Sequence, residues 1–102
     1  MSIAVANATT TQEAREFCAA HDLSSALDNA VGCLSRAFPE AARITVELEQ
    51  DPNSHSRWLL IDVLVAGDLA DIHGRHRDCA RDVARTLKLP NATLIRTNYA
   101  KA

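Results

Sequence analysis

The segment Arg43-Ile44-Thr45-Val46-Glu47-Leu48-Glu49 alternates polar and apolar side chains without a break, and no other feature of the chain restricts its fold so tightly. A period of two places Ile44, Val46 and Leu48 on one face of an extended strand and the polar residues on the other. Asp51-Pro52-Asn53-Ser54 follows, dense in turn formers. Arg57 to Val65 is then a near-continuous apolar run. The three segments predict an antiparallel hairpin. With Glu49 opposite Trp58, Leu48 faces Leu59, Val46 faces Ile61 and Ile44 faces Val63. That face is wholly aliphatic, and a slip of one residue would expose it, so the register is fixed. The other face pairs Glu47 with Leu60, Thr45 with Asp62 and Arg43 with Leu64. Half acidic and half apolar, it is unusual for a surface meant only for water.

Helical spacing fills the rest. Thr10 and Glu13 form a Thr-x-x-Glu capping box that opens a helix over Thr11–Ala20, with Ala14, Phe17, Cys18 and His21 on its apolar face. Ser24 or Ser25 caps a second helix to Phe38, where Leu27, Val31, Leu34 and Phe38 share one face and Pro39 ends the run. Gly67-Asp68 closes the hairpin and caps a third helix from Leu69 to about Leu87. Its buried stripe is Leu69, Ile72, His76, Cys79 or Ala80, Val83 and Leu87. Lys88 sits near the negative end of that helix, Pro90-Asn91 is a turn, and Thr93 to Tyr99 is β-branched and aromatic enough for a last strand. Residues 1–9 carry no cap or period and read as a flexible tail, leaving 10–102 as a single α+β domain.

The order ααββαβ predicts a two-layer sandwich: a three-stranded, mainly antiparallel sheet in the order 2-1-3, with all helices on the aliphatic face. Alanine supplies 18 of the apolar residues in a chain of 102, and the aromatics are only Phe17, Phe38, Trp58 and Tyr99. A core this poor in large side chains leaves a short domain a thin margin, and self-association is a common remedy.

The net charge of -2 gives no general attraction to nucleic acid or membranes. Three cysteines at wide spacing, Cys18, Cys33 and Cys79, do not make a disulfide framework; each lies in an expected helix. They read as reduced, buried thiols in a cytoplasmic protein. The first nine residues hold no basic residue and no sustained apolar run, so they do not read as a signal peptide. No apolar stretch approaches the length of a membrane span.

The acidic strand Ile44–Glu49, the Asp51-Pro52 turn and the run Trp58-Leu59-Leu60-Ile61-Asp62-Val63 resemble a hairpin of small uncharacterised bacterial α+β proteins. The resemblance spans Phe38 to Gly67. It implies a bacterial cytoplasmic setting and no particular chemistry.

Four constellations could carry function. His73, His76 and Cys79 share a helical sector of about 120° and combine imidazole with thiol, a zinc-type donor set. No CxxC or HxxxH partner completes it, and the same residues suit a buried stripe. Cys79 beside His76 is also the one local pair with nucleophile and base character. The three glycines, however, form no phosphate loop and no nucleophile elbow, so no catalytic residue is assigned. Arg77, Arg81 and Arg85 form a basic helical stripe that could meet phosphates. Asp78 and Asp82 lie within it, and no aromatic is interleaved to stack bases. Nucleic-acid binding is therefore the weaker expectation.

The fourth is the outer hairpin face: Trp58, Leu60 and Leu64 beside Glu47, Glu49 and Asp62. An aromatic anchor with a polar rim is typical of protein contacts. The expected function is a non-enzymatic interaction module, a homodimer or the small subunit of a complex. No cofactor is implied. A metal-binding or catalytic protein built on His73, His76 and Cys79 is the alternative.

Overall fold

The computed structural model describes residues 8–87 and 94–101. Among these residues seven elements follow one another: β1 (Ala8–Thr10), α1 (Gln12–Ala20), α2 (Ser24–Ala37), β2 (Arg43–Gln50), β3 (Arg57–Val65), α3 (Leu69–Thr86) and β4 (Ile95–Lys101). The expected Lys88 and the Pro90-Asn91 turn lie outside the described residues.

The hairpin of β2 and β3 has the register that alternation demands, from Arg43 opposite Leu64 to Gln50 opposite Arg57. Its inner residues Ile44, Val46, Leu59, Ile61, Val63 and Val65 are each at most 1% exposed. Removing them from water is the main favourable term in this fold, worth roughly 1.5–3 kcal/mol for each large aliphatic side chain. Onto this face the helices bring Ala14, Phe17, Cys18, Leu27, Val31, Leu34, Ile72, Cys79 and Val83, and one core results. Leu69, expected in the buried stripe of α3, is instead exposed.

The sheet corrects the sequence reading. It has four strands in the order β1-β2-β3-β4, not three in the order 2-1-3, and it is mixed rather than mainly antiparallel. Ala8–Thr10, of which Ala8 and Thr9 were assigned above to the tail and Thr10 to a helix cap, pairs in parallel with Ile44–Val46; residues 1–7 of the expected tail lie outside the described residues. That occupies the free edge of β2, so β4 takes the only edge left, beside β3. It runs parallel to β3 with Leu59 opposite Ile95. The result is a β-α-β unit through α3, the arrangement in which successive elements stay adjacent.

Local chemistry explains the helix ends. Because Thr10 is committed to β1, the cap of α1 moves one residue on, and Thr11 Oγ1 accepts from the Ala14 N–H at 3.2 Å. At the other end Asp22 adopts φ 54. Asp22 donates to the Ala19 carbonyl and Leu23 to that of Cys18, a paired closure that turns the chain sharply into α2. Leu23 is fully buried at this corner, while His21 is left exposed just before it. The third helix is capped as expected, Asp68 Oδ2 accepting from the Asp71 N–H at 3.0 Å. The second has Leu23 at its cap and no side-chain hydrogen bond there.

Arg75 is a structural tie. Its guanidinium reaches Glu40 at 2.6 Å, Asp71 at 3.1 Å and the Ala37 carbonyl at 3.0 Å, and lies 4.8 Å from the centre of the Phe38 ring. It thereby fastens α3 to the end of α2. Backbone hydrogen bonding, and after it the hydrogen bond from Arg75, lowers the Glu40 pKa.

Candidate functional site

The outer face of the sheet follows from the strand registers. Read across the strands, one row is Arg43, Leu64 and Ala100. The next is Thr9, Thr45, Asp62 and Asn98. Below it come Glu47, Leu60 and Arg96, and finally Glu49 and Trp58. A central column on β3 thus carries Leu64, Leu60 and Trp58, interrupted by Asp62. Glu47 and Glu49 flank it on β2, and Arg96 flanks it on β4.

All three helices bury their apolar residues on the opposite face. Trp58, Leu60, Asp62 and Leu64 are half-buried, as neighbours within a sheet shield one another, whereas Glu47 and Arg96 are exposed. The Arg96 guanidinium lies 3.8 Å from the centre of the Trp58 ring. Asp62 Oδ1 is out of contact with water and has no hydrogen-bond partner among the described residues. Such orphaned acceptors are uncommon in folded proteins.

The His–Cys constellation is divided by the fold. His73 Nδ1 is 2.8 Å from the Tyr99 hydroxyl, and the His76 ring lies 4.8 Å from the Tyr99 ring. Both imidazoles therefore turn toward β4. Burial lowers the His76 pKa, and the neighbouring His73 adds to this. Cys79 turns instead toward α2. Burial raises its pKa to about 11, helped by Cys33 and Asp82 and opposed by Arg36. A thiol so placed is protonated and inert at neutral pH. Among the described residues no group of three His, Cys, Asp or Glu side chains is positioned to hold a metal ion.

Arg77, Arg81 and Arg85 are exposed along α3. Arg77 lies 3.6 Å from Asp78, and Arg85 lies 3.7 Å from Asp82. The interleaved acids thus meet two of the three arginines, a local pairing of exposed charges. Among the described residues no helix is long and apolar enough to cross a membrane.

One feature was not anticipated. A cleft of about 370 Å³ opens at the end of the sheet where β3 and β4 begin, beside the last turn of α1. Phe17 and His21 reach it from α1, His55 from the hairpin turn, Arg57 and Trp58 from β3, and Arg96 from β4. The turn is held by Asp51 and Ser56 through a backbone hydrogen bond of 2.9 Å, and by Asp51 Oδ1 accepting from Asn53. His21 stacks on Phe17 at 4.2 Å between ring centres, and the Arg57 guanidinium lies 5.5 Å from the centre of that same ring. These residues are scattered along the chain and share no motif; only the parallel pairing of β4 with β3 brings Arg96 beside Trp58. Comparison with protein-family models, with curated proteins and with solved structures gives no match.

Proposed function

We propose that this chain is a non-enzymatic interaction module that pairs with a second copy of itself through the outer face of the sheet. The observation that carries the reading is the apolar column Trp58, Leu60 and Leu64, over which no described helix lies. Apolar area of a few hundred Å² on one surface usually marks a contact.

Self-pairing is favoured over a foreign partner by the charge layout. A two-fold axis along β3 superposes each outward row on its own reverse. Glu47 of one copy then meets Arg96 of the other, because both flank Leu60 in one row. Leu60 and Leu64 meet their counterparts, as an isologous interface requires. Asp62 lies in the same column and also meets its counterpart, a like-charge contact, with Thr45 of one copy opposite Asn98 of the other on either side.

Analytical ultracentrifugation between micromolar and millimolar concentrations tests the reading. The native chain should reach twice its monomer mass. Leu60→Asp should hold it at the monomer, and Glu47→Arg should weaken pairing until Arg96→Glu is added, which restores opposite charges. A native chain that stays monomeric across the whole range overturns the proposal.

A further inference from the structure

We propose that the cleft at the end of the sheet binds a phosphate group, either on a small organic ligand or as the free ion. This goes beyond self-association, although Trp58 and Arg96 belong to both surfaces. The cleft gathers two arginines and two histidines, and no carboxylate lines it, in a chain whose net charge is -2. Two guanidiniums and two imidazoles opening on one cleft offer several N–H donors to an anion, with Glu13 and Glu16 confined to the adjoining cleft that Phe17, His21 and Arg57 also line.

The state of the arginines strengthens the case. Among the described residues Arg57 and Arg96, like Arg15, Arg36, Arg43 and Arg81, have no carboxylate partner within the chain. Both are instead held over aromatic rings, Arg57 over Phe17 and Arg96 over Trp58. A guanidinium held over a ring by cation–π attraction keeps N–H donors for another partner. Those donors form the fork that fits a phosphate in bidentate fashion. The aromatic rings thus fix the direction of the cations before a ligand arrives, which lowers the entropy lost on binding.

The same packing restricts the ligand. Phe17 already carries His21 and Arg57, and Trp58 carries Arg96. These stacks leave the oxyanion as the recognised feature, with room in about 370 Å³ for a small attached group.

Trp58 is the chain's single tryptophan and lies against Arg96, so its emission reports on the cleft directly. The protein is titrated with inorganic phosphate and with glycerol 3-phosphate, using chloride at equal ionic strength as the control and calorimetry as a second readout. Saturable binding beyond that of chloride is expected. Arg57→Gln and Arg96→Gln should each weaken it about tenfold, the scale of one charge-assisted hydrogen bond. Arg57→Lys should fall between them and the native chain. Tighter binding of glycerol 3-phosphate identifies an organic phosphate as the ligand, and equal binding identifies the ion. Leu60→Asp, which addresses self-association and does not line the cleft, should bind phosphate at least as tightly as the native chain, so failure of one reading is distinguished from failure of the other. Arg57 and His55 are exposed, and circular dichroism checks that their variants stay folded. Binding no stronger than that of chloride, or binding unaltered in a folded Arg57→Gln/His55→Ala variant, overturns the proposal.

Discussion

Thiol labelling of the native protein should rank the three cysteines, with Cys33 first and Cys79 far behind. Cys33 is half-exposed, while Cys18 and Cys79 are buried. For Cys79 the delay has two factors. Burial lifts its pKa from 9.0 to about 11. At pH 7 roughly one molecule in ten thousand then carries the thiolate, against roughly one in a hundred for an ordinary thiol. Ionisation alone therefore slows Cys79 by about a hundredfold. Lack of access slows it further, since the side chain must be uncovered before any reagent can reach it. Mass spectrometry after timed iodoacetamide exposure reads each site separately. Cys79 labelling should continue to accelerate as pH rises from 9 toward about 11. The same shift lowers stability over that window, because the unfolded chain gives up the Cys79 proton first; below pH 9 the contribution is fully present. Modification of Cys79 at pH 7 as fast as that of Cys33 would refute this reasoning, and would revive a nucleophilic role for the His76–Cys79 pair.

Two further outcomes test the fold. Leu59 is fully buried and its neighbour Leu60 points to the open face; urea denaturation at low protein concentration should show Leu59→Ala costing about 2–5 kcal/mol and Leu60→Ala under about 1 kcal/mol. Equal costs would mean the sheet faces are misassigned. The lowered His76 pKa favours the neutral ring in the fold, so its contribution is present above 6.5 and lost as pH falls through the folded value. Stability measured at pH 5 and at pH 7.5 should therefore differ less in His76→Phe than in the native chain, and an unchanged difference counts against a buried, neutral His76.

The parts of this molecule that were legible in the sequence are those fixed by short-range periodicity. Ile44, Val46 and Leu48 alternate with polar residues, and that alone set the hairpin register through to Arg43 and Leu64. Asp68 was readable as a cap because it stands directly before a helical stripe. The first strand was not readable: Ala8, Thr9 and Thr10 are small, three in number and without alternation. Missing that strand also misplaced β4, since the edge of β2 then looked free. The face bearing Trp58, Leu60 and Leu64 was visible from alternation, but Arg96 was not, because only the β3–β4 register puts it beside Leu60. His73, His76 and Cys79 show the opposite error. Regular spacing suggested one site, yet Tyr99 draws the two imidazoles one way while Cys79 turns toward α2.

The shortness of β1 decides where this chain is exposed to misassembly. Its three residues cover Ile44 to Val46, and the Thr11 N–H adds one more bond to the Val46 carbonyl. From Glu47 to Gln50 the flank of β2 has no strand beside it among the described residues. An unpaired strand flank is a template on which another chain can grow, the first step toward a fibril. Glu47 and Glu49 stand on that stretch, so a second β2 laid alongside in register would bring carboxylates against carboxylates. The alternation that sets the register of the hairpin therefore also keeps its open flank from seeding stacked copies.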